Sequence, residues 1–253
     1  MIRKLLFSVV AAPALFCVVA SAQSVDEIVT KHIAAVGGLD KIKAVNTLEM
    51  TGKATVGPGL EAPFSMRLTR PGQMRMEITI QGKSLVQATD GSTAWGINPF
   101  QGSNDPEKLS GEDADDIIEQ ADFDGALVDY KTKGNTVELM GKEDFEGSEV
   151  YKLKVTKKNG DVSYEYLDAT SYLELKSTTK RTRDGQEIEI EAIPGNYKAV
   201  EGVMFPFTIE QKVGGQTQFT LALSSIVVNK PIEGGIYKFP AAAAAAPAAA
   251  KPN

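Results

Sequence analysis

The chain has 253 residues and a formal net charge of −6, from 27 Lys and Arg against 33 Asp and Glu, with one histidine and one cysteine. An acidic chain without a basic stripe is a poor ligand for nucleic acid, where phosphate contacts dominate affinity, and for anionic lipid headgroups. So few His and Cys residues also remove most metal-ligand sets and most nucleophile–base pairs.

Arg3 and Lys4, the apolar run Leu5 to Val19, and the small residues Ala20-Ser21-Ala22 have the order of a secretory signal, with cleavage expected after Ala22. The apolar run is short for a bilayer span of about 20 residues. Cys17 follows Phe16, with Ala14 three residues back, where a lipidation site needs a small residue and a Leu. The mature chain is therefore expected in the periplasm without a lipid anchor. It has no cysteine, hence no disulfide, and its net charge falls to −8, with 25 basic side chains against 33 acidic. Residues 23–240 suit one large β domain of the kind that runs to about 200–250 residues. The stretch 241–253, nearly all Ala with Pro247 and Pro252, reads as a disordered tail outside it.

Ser24 and Glu27 form a capping box that opens an amphipathic helix with Val25, Ile28, Val29, Ile33 and Val36 on one stripe. Gly37-Gly38 ends it, and a shorter helical piece with Leu39, Ile42 and Val45 follows. These helices are expected to cover one end or face of a sheet.

From Thr47 to Val228 the pattern changes to a period of two, the signature of a sheet with one apolar and one wet face. Phe64, Met66 and Leu68 alternate with polar residues, as do Met74, Met76, Ile78 and Ile80, and Phe205, Phe207 and Ile209 answer Phe219, Leu221 and Leu223. The turns set registers. Arg70-Pro71-Gly72-Gln73 has the order of a type II turn. A two-residue turn at Asn159-Gly160 pairs Leu153 with Tyr166 and Val155 with Tyr164, leaving Lys154 and Glu165 on the wet face. One at Asp184-Gly185 pairs Lys180 with Glu189 and Thr179 with Ile190. At Gly214-Gly215 a three-residue loop with a left-handed Gly and a bulge matches Ile209 with Leu221 and Phe207 with Leu223. Pro106 to Tyr130 breaks the pattern as an acidic helical insertion, either a lid over the apolar face or a connector.

Catalytic constellations are weak. His32 stands alone on the first helix and reads as a surface or helix-face residue. No cluster has metal-ligand spacing, and no Gly-rich loop joins a strand to a helix. Glu187, Glu189 and Glu191 alternate on the wet face beside Lys180, and the acidic run Glu112 to Asp116 suits a helix N-terminus without the spacing of a calcium loop. Met66, Met74 and Met76 fit either a core or an adaptable binding face. Trp95, between Asp90-Gly91 and Pro99-Phe100, is either a core anchor or the rim of a pocket.

Several stretches together carry a family resemblance: Ala35 to Ile42 at the end of the first helix, Asp90-Gly91 with Trp95 and Pro99, and Tyr151-Lys152-Leu153 through Asn159-Gly160 to Tyr166-Leu167-Asp168. Tyr172-Leu173-Glu174 before Arg183-Asp184-Gly185, and Asn196-Tyr197 with Gly202 to Phe207, complete the order. The chain resembles a divergent branch of the outer-membrane lipoprotein-sorting (LolA/LolB-like) superfamily as far as about Pro240. The resemblance implies a mainly β (α+β) fold: one strongly curved antiparallel sheet, a half-barrel, covered by the N-terminal helices and a helical lid insertion. It also implies acyl chains held in an apolar cavity.

The reading is a periplasmic, non-catalytic carrier, expected as a monomer. It holds acyl chains of a lipid or lipoprotein against Phe64, Met66, Leu68, Met74, Met76, Ile78, Trp95, Phe205, Phe207 and Leu221, with an envelope protein as donor or acceptor and transfer to the outer membrane as the outcome. No cofactor, metal or nucleic acid is expected. The alternatives are an envelope sensor or interaction module whose core is filled by its own side chains, and an enzyme on envelope polymers, for which no acid pair stands out.

Overall fold

A computed structural model describes residues 23–102, 104–183 and 186–240. The expected signal segment, the Ala/Pro tail and the Asp184-Gly185 turn lie outside them. Helix α1 (Val25–Val36) begins as its sequence directs. Glu27 N–H donates to Ser24 Oγ at 3.2 Å and Ser24 N–H to Glu27 Oε2 at 3.0 Å. It stops at Gly37, whose φ is 135° and where a Cβ would lie 2.4 Å from Gly202 O, so no side chain fits. Helix α2 (Leu39–Ala44) follows and buries Ile42.

Six strands come next: β1 (Thr47–Val56), β2 (Leu60–Thr69), β3 (Gln73–Ile80), β4 (Lys83–Thr89), β5 (Ala94–Ile97) and β6 (Glu107–Lys108). The insertion supplies α3 (Glu112–Gln120) and α4 (Tyr130–Lys133). Then come β7 (Thr136–Phe145), β8 (Ser148–Thr156), β9 (Val162–Asp168), β10 (Glu174–Arg183) and β11 (Gln186–Gly195). The last strands are β12 (Lys198–Val200), β13 (Val203–Phe205), β14 (Thr208–Val213) and β15 (Gln216–Val228).

All but β12 and β13 form one open antiparallel sheet of 13 strands, in the order β6-β5-β4-β3-β2-β1-β15-β14-β11-β10-β9-β8-β7. Two meanders are thus joined where β1 meets β15, and the sheet never closes on itself. This is the helix-covered half-barrel architecture implied by the resemblance. α3 lies against β3, β4 and β5 and drives Ile117 into the apolar core of the inner face, among Phe64, Leu68, Met74, Ile78 and Leu221. α1 buries Ile28 and Val29 against Leu153, Val155 and Leu167 on the other half. Among the described residues no helix is long and apolar enough to cross a membrane.

Two registers agree with the turn chemistry: Thr179 faces Ile190 and Lys180 faces Glu189. Ile209 faces Leu221, and Leu223 N–H donates to Phe207 O at 2.8 Å. The Gly214-Gly215 loop itself differs from expectation. It holds two residues with φ of 57° and 76°, and the bulge sits inside β15 at Gln218, between Thr217 and Phe219. At the Arg70 turn Thr69 pairs with Gln73 around a three-residue loop with a cis Arg70–Pro71 peptide, and Gly72 takes the positive φ of 65° that its place in the turn calls for.

The larger correction concerns β8 and β9. Leu153 faces Glu165, Lys154 faces Tyr164 and Val155 faces Ser163, one residue away from the expected register. The cause is the connection. Lys157 N–H donates to Asp161 O at 2.8 Å and Gly160 N–H to Lys157 O at 2.9 Å, so Asn159-Gly160 lies within a five-residue loop, Lys157–Asp161. A one-residue slip exchanges the two faces of a strand. Tyr164 and Tyr166 point outward, where Lys152 lies 5.3 and 5.1 Å from their ring centres and Lys176 lies 4.4 Å from Tyr166. Ser163, Glu165 and Leu167 face inward.

Gly52 marks the bulge that lets β1 and β15 stay in register; a Cβ there would sit 2.2 Å from Ala222 O and 2.8 Å from Leu223 Cα. Gly52→Ala is expected to cost about 1–3 kcal/mol, read as a lower denaturation midpoint at unchanged slope.

Candidate functional site

The inner face is divided. On β2 and β3, Phe64 faces Ile78 and Met66 faces Met76, and Ile209, Phe219 and Leu221 continue the surface across β14 and β15. With Asp116, Glu119 and Gln120 of α3 above, and Thr179 and Arg181 of β10 at the side, these residues enclose a chamber of about 530 Å³. A second chamber of about 320 Å³ lies under α1 and α2, walled by Ile33, Val36, Ile42, Val128, Phe205 and Ile209. A third, of about 440 Å³, is polar: Ser163, Glu165, Glu174, Ser177 and Thr179 form its floor, and His32, Lys133 and Lys157 stand around it. The chambers share walls. Ile209 and Ala192 belong to the first two, Thr179, Glu119 and Gln120 to the first and third, and His32 and Glu174 to the second and third.

Of the residues expected to line a cavity, Phe64, Met66, Met76, Ile78 and Leu221 line the first chamber and Phe205 lines the second. Leu68, Met74 and Phe207 are on the same face but packed into the core, clear of the chambers. Trp95 is not on this face. It pairs with Ala88, packs against Val86, donates from Nε1 to Tyr237 O at 2.8 Å, and meets Phe239 edge-on. It anchors the C-terminal segment to the opposite side of the sheet, so of its two readings the structural one is correct.

His32, read as a surface or helix-face residue, lies on a face of α1 turned toward Tyr172. It is half-buried, and its Nδ1–H donates to Tyr172 O at 2.8 Å, the tautomer a carbonyl partner requires. Burial lowers its pKa, so the ring is neutral at neutral pH.

The inward turn of β9 gives the polar chamber its chemistry. Glu165 is 7 % exposed and accepts from Ser163 Oγ at 2.8 Å. Burial raises its pKa against the pull of Ser163 and Lys157. Glu174, two positions beyond Tyr172, is pushed up to about 8, first by burial and then by the charge of Glu165. The same surroundings raise Tyr197, whose hydroxyl donates to Glu174 O at 3.0 Å. None of these polar residues was marked by spacing in the sequence. The readable signal was Ser163, Glu165 and Leu167 alternating with the tyrosines, and the choice of face depended on loop length.

Two arginines hold the cover in place. Arg181 reaches Asp116 at 2.9 Å, Glu119 at 3.2 Å and Asp161 at 3.4 Å, tying α3 to β10 and the β8–β9 loop. Arg70 donates to Ile42 O, Val45 O and both oxygens of Asp124, so α2, the β2–β3 turn and the α3–α4 connection meet at one guanidinium. Burial works against the Asp124 carboxylate, but the hydrogen bonds from Arg70 and Lys43 hold its pKa below the ordinary value. A buried carboxylate so paired resists protonation and keeps the clasp charged.

No protein-family model matches the chain, and no curated protein does. Solved structures do. A LolA superfamily protein from Nitrosomonas europaea aligns over 86 % of this chain and 98 % of its own, with a TM-score of 0.53 at 14 % identity. An outer membrane lipoprotein-sorting protein domain from Vibrio parahaemolyticus aligns over 83 % and 94 %, with 0.52 at 14 % identity. A DUF1329 family protein from Desulfovibrio piger aligns over 82 % and 95 %, with 0.54 at 12 % identity. The chain has the LolA-like fold in a divergent form.

Glu174 gives a pH test of this geometry. An acid whose folded pKa is raised leaves the folded state with more bound protons than the unfolded one. Its effect is therefore a loss of stability as pH rises from the ordinary glutamate value of 4.5 through about 8. Glu174→Gln should flatten that decline and, above pH 8, be more stable than the parent by more than about 1 kcal/mol; identical pH–stability profiles would contradict a carboxyl placed beside Glu165 without a cation.

Proposed function

We propose that this protein is a carrier that holds the acyl chains of a lipid or lipoprotein between the inner sheet face and α3. The observation that carries the reading is the roofed apolar chamber itself: Phe64, Met66, Met76, Ile78, Ile209, Phe219 and Leu221 line an unfilled space of about 530 Å³ beside a second of about 320 Å³. Both volumes fall in the range of about 300–1,000 Å³ typical of ligand sites. Space left in an apolar core that can otherwise pack to crystal density is costly, and ligand burial removes that cost. Each methylene transferred from water contributes about 0.8 kcal/mol, so affinity grows with chain length and needs few polar contacts. The unbranched methionines Met66 and Met76 adapt to chains of different shape. The signal-like N-terminal sequence supports a periplasmic carrier, for which transfer of cargo to the outer membrane through an envelope partner is the role the reading assigns. The fold shared with the Nitrosomonas and Vibrio proteins supports a carrier of this kind.

A fluorescent fatty alcohol should bind the mature protein and be displaced by unlabelled alkyl chains. Met76→Glu sets a carboxylate beside Met66 in the chamber floor and should weaken binding by more than about tenfold, since an unpaired charge has no compensation there. Absence of displaceable binding to the wild type would remove the carrier reading, and unchanged binding by Met76→Glu would move the site elsewhere.

A further inference from the structure

The polar chamber tells what kind of head group goes with the chains. Glu165 is more than nine-tenths buried, and only one of its oxygens is engaged, by Ser163 Oγ; the other opens on the chamber. Glu174 stands at the passage between the polar chamber and the apolar one beneath α1 and α2. Neither carboxyl has an ion-pair partner among the described residues.

The other charged groups around them are all satisfied. From α3, Glu119 pairs with Lys157 and Arg181. From the α3–α4 connection, Asp122 pairs with Lys133 and Asp124 with Arg70 and Lys43. From α1, His32 spends its Nδ1–H on Tyr172 O and keeps only the Nε2 acceptor. Tyr197 sits beside Glu174 with its hydroxyl committed to Glu174 O. Lys157 acts on Glu165 from a distance while bonded to Glu119. The Ser177 hydroxyl is spent on Glu174, and what is left over is a set of acceptors (Glu165, Glu174, His32 Nε2 and the hydroxyl of Thr179) with no spare cation.

Such a set suits a donor-rich positive group and disfavours phosphate or carboxylate. We propose that the polar chamber binds the ammonium head of an amphiphile whose tail lies in the adjoining apolar chambers, with Glu174 and Glu165 as its counter-charges. The proposal rests on the carrier reading and names its cargo class. It also sets a pH dependence. Burial and the charge of Glu165 push Glu174 up to about 8. A bound ammonium favours its carboxylate form, so binding releases a proton and tightens as pH rises through that value.

Calorimetric titration of the protein with dodecylamine, dodecanol, dodecanoate and tail-less butylamine, on either side of about pH 8, separates the possibilities. Above it, dodecylamine should bind about tenfold or more tighter than dodecanol, as a charge-assisted contact warrants, and dodecanoate weaker than both; butylamine should show no measurable heat. The amine preference should shrink below that pH. In Glu174→Gln and in Glu165→Gln, with folding checked by circular dichroism, the amine-to-alcohol ratio should fall toward one, while Glu189→Gln on the outer face keeps it. Equal binding of amine and alcohol at high pH, a preference for dodecanoate, or a preference that survives both chamber variants would overturn the proposal and leave the carrier standing. No binding of any dodecyl probe would take down the carrier reading and the proposal together.

Discussion

The pairing of β1 with β15 is the contact on which the rest of the molecule depends. It joins Leu48 to Val228 at one end and Val56 to Phe219 at the other, so the first strand of the chain is zipped to its last. Without it the sheet is two separate meanders, one carrying the methionine-rich apolar surface and the other the acids. With it the two surfaces become one continuous inner face. Gly52 allows the close approach to Ala222 and Leu223 that the long pairing needs. Long-range pairings of this kind are slow to form because loop closure precedes the contacts that reward it, so the apolar inner face awaits the C-terminal strand before it is complete.

That joined face explains why the chambers have different chemistry. Strands β2, β3 and β15 were legible as apolar alternation, and their apolar residues occupy the inner side. Strands β8 to β10 are different. β9 carries two candidate faces, Tyr164 with Tyr166 and Ser163 with Glu165 and Leu167, and hydrophobicity alone chooses the tyrosines. The fold chooses the other face because the outward tyrosines are covered by the stems and charges of Lys152 and Lys176. The polar chamber follows from that reversal.

Much of the architecture was readable because it rests on local rules: the Ser24–Glu27 capping box, the Gly37 stop, the Thr179–Ile190 register, and the helical insertion by its break in period. What escaped depends on loop length or on distant partners. The five-residue loop at Lys157–Asp161 hid the face of Glu165, and the C-terminal segment that covers Trp95 placed that residue opposite the expected cavity. His32 and Glu174 come together only through the tertiary contact of α1 with Tyr172, just before β10, which no spacing announces. Arg70 looked like a turn residue, yet it gathers α2 and the α3–α4 connection.

An account in which roofed chambers hold apolar tails makes one requirement above the others: the native protein carries cargo. Native mass spectrometry of the protein purified from its native source, followed by lipid extraction, tests it most directly. The account predicts a mass above that of the bare mature chain, lost on extraction and recovered as an acyl-bearing amphiphile. A single species at the bare mass, with no lipid in the extract, would contradict it.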